Sequence, residues 1–137
     1  MFGRKKRDRI ISDWATLQDA LVGNFDAEET GTGAMRLHVK WKAENREQEI
    51  VIAYAPVQDL GQIAYITAPI LENPTRHQLQ ETMEESAKFL DGGVVIDGGF
   101  MALRATLPIE ETPFSIVART IRQIAANADE IGMNLDQ

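Results

Sequence analysis

Residues 91 to 126 read DGGVVIDGGFMALRATLPIEETPFSIVARTIRQIAA, and this stretch decides the fold. Two β-prone runs, Val94 to Asp97 and Phe100 to Leu107, are separated only by Gly98-Gly99. A two-glycine link predicts a tight antiparallel hairpin, because the primed turns that match strand twist need positive φ at both central residues. The pairing sets Val94 opposite Leu103 and Ile96 opposite Met101. One face then carries Val94, Ile96, Met101 and Leu103, extended by Ala105 and Leu107. The other carries Val95, Phe100, Ala102 and Thr106, with Arg104 among them. Downstream, Thr112-Pro113 reads as a helix start, a cap residue followed by proline at the first helical position. Phe114, Val117, Ile121, Ile124, Ala128 and Ile131 then recur at helical spacing, and Gly132 is the expected stop.

Upstream, Asn73-Pro74-Thr75 opens another helix, with Thr75 or Asn73 as its cap. Leu79, Met83, Ala87 and Leu90 form its expected apolar stripe, and Asp91-Gly92-Gly93 its end. Before it, Gln62 to Ala68 is a strand with weak polar alternation, preceded by a loop from Pro56 to Gly61. Met35, Leu37, Val39 and Trp41 alternate with Arg36, His38, Lys40 and Lys42, the period of a half-buried antiparallel strand. A turn from Ala43 to Arg46 leads into a strand from Glu47 to Ala55. That turn pairs Lys42 with Glu47, Lys40 with Glu49, Val39 with Ile50 and Leu37 with Ile52. Both faces are then self-consistent, which a one-residue slip would destroy. At the start, Ile10, Trp14, Leu17 and Leu21 mark a first helix ending near Val22 at Gly23, and Asn24 to Gly33 reads as a loop.

The element order is α-β-β-β-α-β-β-α. It predicts an α+β fold: one five-stranded antiparallel sheet with helices packed mainly on one face. The 137 residues suit one domain over 10–137, preceded by a flexible basic tail over 1–9. Arg4, Lys5, Lys6, Arg7 and Arg9 hold five of the 14 basic residues. Beyond Arg9, nine basic residues face 20 acidic ones, a net of −11. So acidic a body argues against a nucleic-acid face, whose affinity comes largely from phosphate neutralisation. No apolar run reaches transmembrane length, and no signal-peptide core follows the basic start. That start offers at most weak contact with a membrane surface. The absence of cysteine removes disulfides, thiolate metal sites and cysteine nucleophiles, and suits the cytoplasm.

This order is also that of the type III secretion chaperone-like fold, and the tail of the chain resembles the YbjN family of bacterial proteins within that group. The resemblance rests on Gly92-Gly93-Val94, on Leu103-Arg104-Ala105-Thr106-Leu107-Pro108 and on the amphipathic helix after Pro113. It implies a small, often dimeric domain that holds a peptide segment of a client or regulates a partner. It implies no catalytic residue.

The residues agree. His77, Glu81, Glu84 and Glu85 share a polar helix face and make no metal site without a second histidine. Arg36, His38, Lys40 and Lys42 read as a charge ladder against Glu47 and Glu49 rather than an anion site. Asp97-Gly98-Gly99 and Asp91-Gly92-Gly93 lack phosphate-loop spacing. Ser12, Ser86 and Ser115 lack an activating histidine and acid. The expectation is a non-enzymatic domain with no cofactor and no metal, binding a protein or peptide client as a homodimer. Its association surface is Val95, Phe100, Ala102 and Arg104, an apolar sheet face costly to leave wet. The alternative is a small-ligand sensor with a pocket between the first helix and the sheet, near Trp14 and Trp41.

Overall fold

The computed structural model of the chain describes residues 8–59, 61–89 and 92–135. It is α+β. The strands are β1 (Ile10–Ile11), β2 (Glu28–Glu29), β3 (Ala34–Trp41), β4 (Arg46–Val57), β5 (Gly61–Glu72), β6 (Gly93–Asp97), β7 (Phe100–Pro108) and β8 (Thr112–Pro113). The helices are α1 (Trp14–Phe25), α2 (Arg76–Ser86) and α3 (Phe114–Leu135). The main sheet has six strands, not five, in the order β2-β3-β4-β5-β7-β6, and every pairing in it is antiparallel. The extra strand, β2, lies within the segment read as a loop. At two residues it is too short to show alternation.

The hairpin of β6 and β7 has the expected register, with Val94 opposite Leu103 and Ile96 opposite Met101. Gly98 and Gly99 both take positive φ, as the turn demands. The first hairpin differs from expectation by two residues. Leu37 pairs with Ile50, His38 with Glu49 and Lys40 with Glu47. The turn starts one residue earlier, as a short 3₁₀ segment over Lys42–Glu44, and Asn45 closes it in the left-handed region at φ 53. Asparagine tolerates that region, so no glycine was needed to mark the turn. A shift of two keeps each side chain on its expected face.

The helices also depart from their predicted ends. Asp13 caps α1 by accepting the Thr16 N–H at 2.8 Å, which leaves Ile10 outside the helix in β1 and 55% exposed. α1 passes through Gly23 and stops at Asp26, whose left-handed backbone sends its N–H to the Leu21 and Val22 carbonyls. Thr75 and Gln78 form a reciprocal capping box at the start of α2. This helix ends at Ser86 and buries Thr82, whereas Met83 of the expected stripe is 61% exposed and Ala87 is also exposed. Leu90 and Asp91 lie outside the described residues.

Thr112-Pro113 does not open α3. It forms β8, paired with Ile11 and Ile10 of β1. The α3 amides are met from the other end of the chain: Phe114 N–H donates to the Arg9 carbonyl at 2.7 Å and Ser115 N–H to Asp8 Oδ1 at 2.9 Å. Asp8 and Arg9, counted with the tail, are thus bonded to the body, while residues 1–7 lie outside the described residues. α3 also runs through Gly132 to Leu135, because Leu135, beyond the glycine, still packs against the core.

The core lies between one sheet face and the helices. Met35, Leu37, Ile50, Ile52, Ile66 and Leu103 from the sheet meet Leu17 and Leu21 of α1 and Val117, Ile121, Ile124 and Ala128 of α3. Each fully buried aliphatic side chain contributes about 1.5–3 kcal/mol relative to exposure. α3 crosses β4, β5 and β7, α1 lies against β3, and α2 rests on β6 and α3.

Candidate functional site

With the helices on the core face, the opposite face of the sheet carries the alternate residues of β4, β5, β7 and β6. In register across it run Ala53 and Tyr65, Thr67 and Arg104, Pro69 and Ala102, then Ala102 and Val95. They form a shallow groove of about 340 Å³ walled by Val51, Ala53, Pro69, Phe100, Ala102 and Arg104.

Phe100, Ala102 and Arg104 of the expected surface therefore line one groove, and Val95 lies beside it, directly opposite Ala102. Their exposures differ. Phe100 is 37% exposed and Val95 half-buried, whereas Ala102 is only 1% exposed and forms the floor. Because Ala102 is small, the flanking side chains enclose it.

Arg104 is the one cation among the described residues that line the groove, and its position is determined by three neighbours. Its Nε donates to Thr67 Oγ1 at 2.8 Å and its Nη2 to Asp97 Oδ2 at 2.6 Å. Its guanidinium also lies over the Tyr65 ring, 5.3 Å from the centroid. An arginine ordered in this way has lost its rotamer freedom before a partner arrives. Sequence reasoning found Arg104 but missed Tyr65, Thr67 and Asp97. Tyr65 and Thr67 lie on β5, whose weak alternation was legible but whose neighbour in the sheet was not.

The other candidates separate. His77 and Glu81 pair at 2.7 Å on the exposed side of α2. Arg36 pairs with Glu28 of β2 at 2.7 Å, and not with a residue of β4. That contact holds the Glu28 carboxyl below its usual range and raises the guanidinium's proton affinity. Lys40, His38 and Arg122 border a cavity of about 320 Å³ at the end of α1. Ser12 bonds to Thr16, Ser86 to the Met83 carbonyl and Ser115 to Asp8, so all three serve local backbone or cap geometry. Among the described residues, no group of three His, Asp or Glu side chains converges as a metal ion would require.

Among the described residues, Trp14 and Trp41 lie near opposite ends of β3. Trp14 stacks on Tyr54, with ring centroids 5.6 Å apart, and the Tyr54 N–H bonds to the Gly33 carbonyl at one end of β3. Trp41 ends the same strand, about 26 Å away at roughly 3.3 Å per residue. Between α1 and the sheet, Leu17, Ala20 and Leu21 are all buried. No described helix is long and apolar enough to cross a membrane. Compared with protein-family models and with curated protein sequences, the chain finds no match.

Proposed function

We propose that the protein is a non-enzymatic protein-binding domain, chaperone-like or regulatory in the manner its YbjN resemblance implies. It acts in the cytoplasm as a homodimer, and the outer sheet face holds a segment of a protein client. One observation carries this reading: all three helices pack on one face, while the other keeps an apolar groove with Phe100 exposed and Arg104 already ordered. Association surfaces draw their energy from such central aromatic and arginine anchors, surrounded by contacts that mainly exclude water. Pro69, Ala102 and Val51 supply that surround.

The test uses the full chain with p-benzoylphenylalanine in place of Phe100, irradiated in native lysate. Protein adducts are expected from this position and not from the same group placed at Val22, an exposed site on α1. Equal adduct yields from both positions would refute the assignment of the face.

A further inference from the structure

The two edges of the sheet are built differently. One edge is β2, two residues long and both glutamate, which is how natural sheets prevent unwanted strand addition. The other is β6, Gly-Val-Val-Ile-Asp, with no lysine, proline or bulge to protect it. Among the described residues β6 pairs only with β7. Its Ile96 is 56% exposed although it belongs to the core-side face.

The hairpin geometry says which backbone groups this edge offers. In a two-residue hairpin the residues flanking the turn, here Asp97 and Phe100, exchange hydrogen bonds, and such pairs recur at every second position. Asp97, Val95 and Gly93 therefore direct their N–H and C=O groups to β7, and Val94 and Ile96 direct theirs outward. A strand that adds to this edge must bring its own outward groups opposite those two residues.

We infer that the homodimer forms by antiparallel pairing of β6 with β6 of a second copy, about a two-fold axis at Val95. The inference rests on the homodimer reading above. That register sets Val94 opposite Ile96 of the second copy, outward groups against outward groups, and closes four backbone hydrogen bonds. A shift of one residue sets outward groups against inward ones and closes none. The same register places each Asp97 opposite a Gly93, so no like charges abut, and each Asp97 stays paired with its own Arg104. Val94 then covers the exposed Ile96 on one face, and the two Val95 side chains meet on the other. The two sheets join into twelve strands, and both client grooves lie on one continuous surface. A second copy fits this edge better than an unrelated strand because β6 complements itself in hydrogen-bond phase, side-chain size and charge.

Sedimentation of the full chain at tens of micromolar tests this. The wild type is expected at twice the monomer mass of 15.3 kDa. Ile96→Lys should halve the mass with an unchanged circular-dichroism spectrum. Val94→Pro should do the same, since it removes an N–H that β7 does not use. Phe100→Glu, on the outer face, should remain a dimer. Amide exchange at Val94 and Ile96 should be slow in the wild type and fast in Ile96→Lys. A wild-type monomer would overturn the inference and leave the photo-crosslinking test of the groove standing. A dimer insensitive to both β6 changes but lost in Phe100→Glu would also overturn it, and would place the seam on the outer face.

Discussion

Gly92 is the position where a single methyl group should do most harm. Its φ is +89, a region that residues with a Cβ enter only under strain, of order 1–3 kcal/mol. A Cβ placed there falls 2.5 Å from Ile124 Cδ1 and 3.3 Å from the Arg104 carbonyl oxygen. The first neighbour is fully buried in the close-packed layer under the sheet and can move only by displacing others. The second is backbone of β7 and moves less. Overpacking of this kind costs about 1–3 kcal/mol. Gly92→Ala should therefore destabilise the fold by roughly 2–6 kcal/mol in sum. Urea unfolding followed by circular dichroism reads this directly. At an m-value of about 2 kcal/mol/M the midpoint should drop by about 1–3 M. Gly23→Ala is the internal contrast. Gly23 sits in the interior of α1 at ordinary φ, with nothing within 4 Å of an added Cβ. There alanine should stabilise by about 0.5–1 kcal/mol. A Gly92→Ala loss below about 0.5 kcal/mol, within the scatter of surface substitutions, would refute the reasoning.

Two further outcomes follow from the helix starts. Asp8→Ala should cost about 1 kcal/mol, the usual worth of an N-cap, and should speed amide exchange at Ser115, whose N–H now donates to Asp8. Exchange there unchanged from wild type would show that the contact holds nothing. Asp13 accepts from both the Thr16 N–H and the Thr16 hydroxyl, and these bonds hold its carboxyl below the ordinary 3.8. Because the folded value is the lower one, its contribution is complete above about pH 4 and is lost as pH falls through the folded value. Asp13→Asn keeps an acceptor without a charge, so the wild type should lose more stability than the variant between pH 5 and pH 2. Parallel urea-midpoint profiles would contradict this.

What the sequence revealed, and what it hid, depends on whether a local rule or a distant contact decided each element. The β6–β7 register was legible because two glycines leave one economical turn. The β3–β4 register was misplaced by two because Asn45 does the work of a glycine without announcing it. Gly23 and Gly132 read as stops, yet each costs only about 1 kcal/mol in a helix, and buried neighbours on α1 and α3 override that. β1 and β8 each span two residues and exist only by pairing with each other across most of the described residues, which no local pattern encodes, and β2, paired with the nearby β3, is too short to show alternation. The stripe of α2 failed for a related reason: a short helix resting on β6 and α3 buries Thr82 and leaves Met83 in water. The outer-face residues were legible from alternation alone, but the ordering of Arg104 by Tyr65, Thr67 and Asp97 depends on which strands become neighbours.

The bond between Asp8 and Ser115 joins residues 107 positions apart. On a ribosome extending its product at about 5–20 residues per second, the first of these emerges roughly 5–20 s before the second. Through that interval Ile11 has no β8 to pair with, and its buried place in the finished core does not yet exist. The segment around Ile11 must therefore wait, apolar and unpaired, while the residues up to β8 are made. The final docking of this domain is set by the emergence of its last helix, and a nascent chain stalled before Phe114 would offer Ile10 and Ile11 to whatever chaperone stands at the exit.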